Sequence, residues 1–244
     1  AIKLAPVVLA ALADGRLEPC VVRTSQHREM LDQMVEHFGL EVATDLDIMR
    51  HDQTLAQVTC AALEGLHRVI EATRPACVVV QGDTTTTFCG ALAAFYQRVP
   101  VAHVEAGLRT YDRTQPFPEE ANRCLTAQVT DFHFAPTEGA RDNLVREGVP
   151  GERIWVTGNT AIDALRITLE RVGERAAAPE GVRQILVTAH RRESHGEPMA
   201  EICRALLRLC DRFPDVLVRF PVHLSPRVRA FLEFLVELCE NWPS

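Results

Sequence analysis

The sequence predicts an α/β fold with parallel sheets covered on both faces, and three observations predict it. Short continuous apolar runs, such as Val78-Val79-Val80 and Val101-Ala102-His103-Val104, alternate with longer stretches of helical periodicity along almost all 244 residues. Strands buried on both faces read as continuous apolar runs, whereas half-exposed strands alternate. At least five of these runs end in polar, charged or glycine-containing turns. With 47% hydrophobic and 24% charged residues, the chain also has enough apolar material for a sizeable core, in one large domain or two.

The elements follow in order. Residues 3–13 are helical in pattern and end at Asp14-Gly15. Because no strand-like run precedes them, the chain reads as lacking a first strand. Cys20-Val21-Val22-Arg23-Thr24 is a strand. Met30, Leu31, Met34, Val35 and Phe38 place a helix over 27–38, and 39–53 is a loop with a short strand. A long amphipathic helix covers 54–73 and stops before Pro75. Strand 77–81 leads through Gly82 into helix 85–97, with Asp83 or Thr84 as its N-cap. Strand 99–104, helix 119–129, strand 132–137, helix 138–147, strand 153–159 and helix 160–172 continue the alternation.

Gly173 to Arg183, with its glycine, proline and alanine run, reads as a linker. The predicted domains are therefore 1–172 and 184–244, joined by 173–183. The second holds strand 184–189, helix 198–212, strand 215–220 and a last helix. The apolar run from Phe231 and the ending Asn241-Trp242-Pro243-Ser244 read as a truncated or atypical terminus.

Composition excludes several classes. The net charge of −7 without a long basic run gives no support to nucleic-acid or membrane-surface binding. No stretch approaches the roughly 20 apolar residues of a membrane span. The eight cysteines form no C-x-x-C pair and most lie in apolar runs, which fits a reduced, cytoplasmic setting. No G-x-G-x-x-G, Walker, G-x-S-x-G or H-E-x-x-H pattern occurs, so the usual dinucleotide, ATP, α/β-hydrolase and metal chemistries are not indicated.

The chemistry collects at strand ends, which share one edge in a parallel sheet, where ligands bind. Two such sheets facing one another would enclose a cleft. Asp83 is either a helix cap or a functional carboxylate. Glu105 leaves an apolar strand and needs a partner, for which Arg109 is the candidate. Glu119 and Glu120 favour a helix dipole, and Arg123 is placed to pair with Glu119. His190-Arg191-Arg192 reads as an anion site. His103, His133 and His223 read as structural. Carboxylates, a histidine and arginines along one cleft point to a phosphate-bearing substrate and proton transfer.

Several stretches occur in this order in the non-hydrolysing bacterial UDP-N-acetylglucosamine 2-epimerases. They are Gln26-His27-Arg28-Glu29-Met30-Leu31, Gly82-Asp83-Thr84-Thr85-Thr86, His103-Val104-Glu105-Ala106-Gly107-Leu108-Arg109-Thr110, Pro118-Glu119-Glu120-Ala121-Asn122-Arg123, Thr157-Gly158-Asn159-Thr160, His190-Arg191-Arg192-Glu193-Ser194 and Pro221-Val222-His223-Leu224. The chain resembles that family over nearly its whole length. The resemblance implies two Rossmann-like domains of glycosyltransferase-B type, the second incomplete here, and interconversion of UDP-GlcNAc and UDP-ManNAc through 2-acetamidoglucal. It implies no cofactor and no metal, a UDP-sugar as the binding partner, and a homodimer.

By the same resemblance Asp83, Glu105 and Glu119 are acid/base groups, with the face each serves left open. His190 stabilises the departing diphosphate, and Lys3, Arg109, Arg123, Asn159 and Arg191 line the substrate site. A hydrolysing 2-epimerase, a diacetamido-uronate 2-epimerase and a non-catalytic binding protein are the alternatives. The family's opening strand with its glycine-arginine turn, and its Ser-Gly-Gly turn, have no counterpart in this sequence. Weak UDP binding and little or no turnover are the expectation for this chain.

Overall fold

The computed structural model describes residues 2–24, 28–50, 52–173, 180–189 and 196–220. The chain divides into two units, Ala1–Gly173 and Glu174–Ser244.

In the first unit, helix α1 (Ala5–Asp14) precedes strand β1 (Val21–Arg23), helix α2 (Arg28–Phe38) and strand β2 (Val42–Asp45). β1 and β2 pair in parallel as a two-stranded sheet. Arg23 ties it to α2 and β2 through Asp32 and Asp45. Helix α3 (Leu55–Thr73) opens on a capping box: Thr54 Oγ1 accepts from Gln57 N at 3.2 Å, and Gln57 Oε1 accepts from Thr54 N at 2.8 Å.

The second sheet is four-stranded, parallel and in sequential order: β3 (Val78–Gln81), β4 (Val101–Val104), β5 (Phe132–Ala135) and β6 (Ile154–Val156). The intervening helices are α4 (Thr85–Tyr96), α5 (Glu119–Gln128) and α6 (Glu138–Arg146), and α7 (Thr160–Val172) follows β6. β4 begins two residues later than the sequence predicts. Pro100 has no N–H to donate, and its carbonyl instead accepts from Val78 N at 2.8 Å. A short 3₁₀ turn, Gly151–Arg153, was not foreseen.

The turns after β3, β5 and β6 each end in a side-chain cap. Thr84 Oγ1 accepts from Thr87 N, Thr137 Oγ1 from Ala140 N, and Asn159 Oδ1 from Ala161 N, at 3.0–3.2 Å. Every helix that follows those strands therefore starts at the carboxyl edge of the sheet, with its free N–H groups and positive dipole end there.

Small residues set how closely α4 approaches. Ala91, Ala93 and Ala94 pack with Val80, Val101 and Ile70 into one core cluster. A second joins Ala106, Ala127, Ala135, Ala140, Leu144 and Ile154. Gly107 lets α6 in: its φ is +85°, and a Cβ there would lie 2.2 Å from Ala140 O.

The second unit holds β7 (Arg183–Leu186), α8 (Glu197–Arg212) and β8 (Val216–Arg219), a βαβ element with parallel register from Arg183↔Val216 to Leu186↔Arg219. Arg183 grips Asp215 with two hydrogen bonds, at 2.5 and 2.8 Å. β7 begins on the last residue assigned to the linker. The last predicted helix and His223 lie outside the described residues.

Candidate active site at the carboxyl edge of the first unit

Polar side chains converge where β3 and β4 end. Gly82 donates its N–H to Val104 O at 3.0 Å and adopts φ +74°, turning the chain sharply toward α4. Asp83 comes next. The cap of α4 is Thr84, so the capping role open to Asp83 is filled by its neighbour. Its carboxylate instead accepts from Arg123 Nη2, and its carbonyl accepts from Asn122 Nδ2 at 3.0 Å. Two consecutive residues of α5 thus hold the turn after β3.

Glu105 follows β4 with φ +66°. A non-glycine residue in that region costs about 1 kcal/mol or more and persists only where its surroundings fix it. Three donors do so. Lys3 Nζ reaches Oε1 at 2.5 Å, Gln81 Nε2 bonds Oε2, and Asn159 Nδ2 lies 3.5 Å from Oε1. They come from the turn before α1, the end of β3 and the cap of α7. The carboxylate is 11% exposed.

Arg109 is not the partner of Glu105. Its guanidinium is fully buried and forms a two-pronged pair with Glu147, Nε to Oε1 at 2.7 Å and Nη2 to Oε2 at 2.6 Å. Burial opposes the Arg109 charge, but the Glu147 carboxylate outweighs it and holds the pKa above the usual value. Arg123 likewise does not pair with Glu119. It bridges Asp83 and Glu120, with Nη1 3.4 Å from Glu120 Oε2. Glu119, the first residue of α5, is half-buried and has no hydrogen-bond or ion-pair partner among the described residues.

Glu120 is 1% exposed. Its Oε1 accepts from the backbone N–H groups of Thr110 and Tyr111, both at 3.0 Å. Sequence reasoning passed over it because adjacent carboxylates at a helix start look alike. The available signal was its spacing of three residues from Arg123. Gln81 and Asn122 were also missed. Each closes or follows an element whose apolar pattern says nothing about its last polar residue.

His103 and His133 are structural, as expected. They sit opposite one another in the β4–β5 register, each 1% exposed. His103 Nε2 donates to Gly82 O at 2.8 Å, and among the described residues neither Nδ1 has a partner. Burial pushes both pKa values down to about 4. Among the described residues no cysteine forms a disulfide; Cys89 and Cys203 are buried, whereas Cys20 and Cys60 are exposed. His190 and Arg191 lie outside the described residues.

Asp83 and Glu105 stand at the ends of adjacent parallel strands, each against a cation, with Glu119 opening the helix that carries Arg123. A carboxyl-edge site of this composition in a parallel sheet defines the class: an α/β protein equipped for proton transfer beside cationic groups. The chain belongs to the UDP-N-acetylglucosamine 2-epimerase family, whose pattern residues 10–242 match.

It is 50% identical to the UDP-N-acetylglucosamine 2-epimerase of Yersinia pestis over 239 residues, which is 93% of this chain and 64% of that protein. It is 48% identical to the Escherichia coli K12 enzyme of that name over 240 residues, again 64% of the relative. The crystal structure of UDP-GlcNAc 2-epimerase from Neisseria meningitidis bound to UDP-GlcNAc superimposes with a TM-score of 0.87 at 44% identity, over 97% of this chain and 66% of that one. The chain thus spans about 64% of the length of the curated relatives it matches. The fold is of the α/β, glycosyltransferase-B type that the resemblance implies.

Proposed function

We propose that this chain carries the acid/base groups of a UDP-N-acetylglucosamine 2-epimerase, interconverting UDP-GlcNAc and UDP-ManNAc. The observation that carries the reading is the pair of carboxylates, Asp83 and Glu105, at neighbouring strand ends, each held against a cation. Inverting C2 requires a proton to leave one face and another to arrive on the opposite face. Two differently held carboxylates, with the unpartnered Glu119 nearby in sequence, provide groups for both events.

In the proposed step a carboxylate takes the C2 proton. The C2–H electrons form a C1=C2 double bond, and the C1–O electrons leave with UDP. This gives 2-acetamidoglucal. In the return step UDP oxygen rejoins C1 while an acid delivers a proton to the other face of C2. Lys3, Arg123 and Asn159 orient the carboxylates and sugar, and His190 and Arg191 are assigned to the diphosphate, whose developing charge they would stabilise. The relative from Neisseria meningitidis, solved with UDP-GlcNAc bound, supports the choice of substrate. The proposal extends to a division at residues 173–183, a cytoplasmic setting, a role in supplying polysaccharide precursors and a homodimer.

The test is to mix the chain with UDP-GlcNAc at equimolar concentration and follow 1H and 31P NMR. UDP-ManNAc should appear while nucleotide stays bound to sugar. Accumulation of free ManNAc and UDP would instead identify a hydrolysing 2-epimerase. An unchanged substrate would contradict the proposal.

A further inference from the structure

We infer that Glu120 is a positioning residue that fixes the plane of the Arg123 guanidinium against Asp83; this rests on the acid/base role proposed for Asp83. The two oxygens of Glu120 do different things. Oε1 anchors the loop through the Thr110 and Tyr111 amides, at 3.0 Å each. Oε2 is buried, makes no hydrogen bond among the described residues, and faces Arg123 Nη1 at 3.4 Å. Leaving a buried carboxylate oxygen without a hydrogen bond is costly, and the nearby guanidinium is what offsets it.

A guanidinium is a rigid planar fork. Its contact with Asp83 alone leaves the plane free to swivel about that bond. Arg123 Nε adds no restraint, because it too is buried with no hydrogen-bond partner among the described residues. The Glu120 contact is the second fixed point, and two points set the plane. Both glutamates at the start of α5 lie about one turn before Arg123, at i,i+4 and i,i+3. Glu120 makes the contact at i,i+3, while Glu119 has no partner among the described residues. Adjacent residues of one helix therefore divide the work: Glu120 holds the machinery and Glu119 remains available to it.

The experiment uses the whole chain with Glu120→Gln. Glutamine still presents an oxygen to the Thr110 and Tyr111 amides but removes the charge facing Arg123. The readout is proton exchange of the Arg123 guanidinium by 15N NMR, its signal assigned by its loss in Arg123→Gln. Exchange should accelerate at least about tenfold, as expected for losing one charge-assisted contact, while the two amides keep their protection. Unchanged Arg123 exchange would overturn the inference, as would simultaneous loss of amide protection, which would make Glu120 a loop anchor only. Should Glu120→Gln fail to fold, Glu120→Asp keeps the charge, withdraws it from Arg123 by one methylene, and gives the same readout.

Turnover supplies a second arm. Glu120→Gln should lower kcat about tenfold with KM within about twofold, and should add nothing in an Arg123→Gln background. Losses that multiply in the double variant would overturn the inference. A wild-type chain without turnover would contradict the proposed function instead, and the guanidinium exchange would still decide the role of Glu120.

Discussion

Lys3 and Glu105 meet across 102 positions of chain, the ammonium 2.5 Å from Oε1, and this contact ties the turn before α1 to the end of β4. Glu105 keeps a strained backbone there, and Lys3 is one of three donors that hold it. Lys3→Met should reduce turnover at least about tenfold by loosening a proposed acid/base group, yet cost only about 1 kcal/mol of stability, since the lysine is partly exposed. Steady-state kinetics beside thermal unfolding checks both halves. Equal turnover would show that Glu105 needs no cation.

Arg109 and Glu147 form a structural clamp. Glu147→Gln leaves a fully buried guanidinium without its countercharge, and stability should fall by about 2–3 kcal/mol. The figure lies below that for a completely buried pair because Glu147 keeps 24% of its exposure. Urea unfolding measures it. KM for UDP-GlcNAc should stay within about twofold, and a large KM rise with intact stability would return Arg109 to the substrate site.

Gly107→Ala should be among the most damaging single changes in the first unit. The new methyl would meet the Ala140 carbonyl, and the backbone at φ +85° disfavours any side chain. A loss of at least about 3 kcal/mol is expected from strain and displacement of α6 together. A variant that melts within a degree or two of wild type would refute this.

The paired histidines make the first unit acid-sensitive. Their folded pKa values, about 4, lie below the ordinary 6.5, so the unfolded chain binds more protons between those limits. Stability therefore declines as pH falls through 6.5 toward 4, by about 2 kcal/mol per histidine between pH 7 and pH 5. Urea midpoints at the two pH values test this, and His103→Gln should remove about half of the decline. A flat profile would mean the histidines are not held neutral.

The alternation of strands and helices was legible because apolar runs and helical spacing are local properties. So was the placement of Asp83 and Glu105 just beyond adjacent strands, since strand ends are recognisable where apolar runs stop. Pairing was not legible. Glu105 takes Lys3 from 102 residues away, and Arg109 takes Glu147 from 38 residues on, because partners are chosen by the order of strands in the sheet. The sequence also offers no means of telling Glu119 from Glu120, whose difference is how α5 is rotated against the turn after β3. Asp83 was ambiguous for a related reason: a cap and a free carboxylate have the same local sequence until Thr84 is seen to take the cap.

Carboxylates at these strand ends are proposed to exchange the C2 proton of a UDP-sugar. The most direct test is to hold equimolar chain and UDP-GlcNAc in D2O and read deuterium at C2 by 1H NMR and mass spectrometry. The C2 proton signal should disappear from both sugar nucleotides in wild type, and Asp83→Asn and Glu105→Gln should each slow its loss by about 100-fold or more. Formation of UDP-ManNAc that retains its C2 proton, or undiminished exchange in both variants, would contradict the proposal.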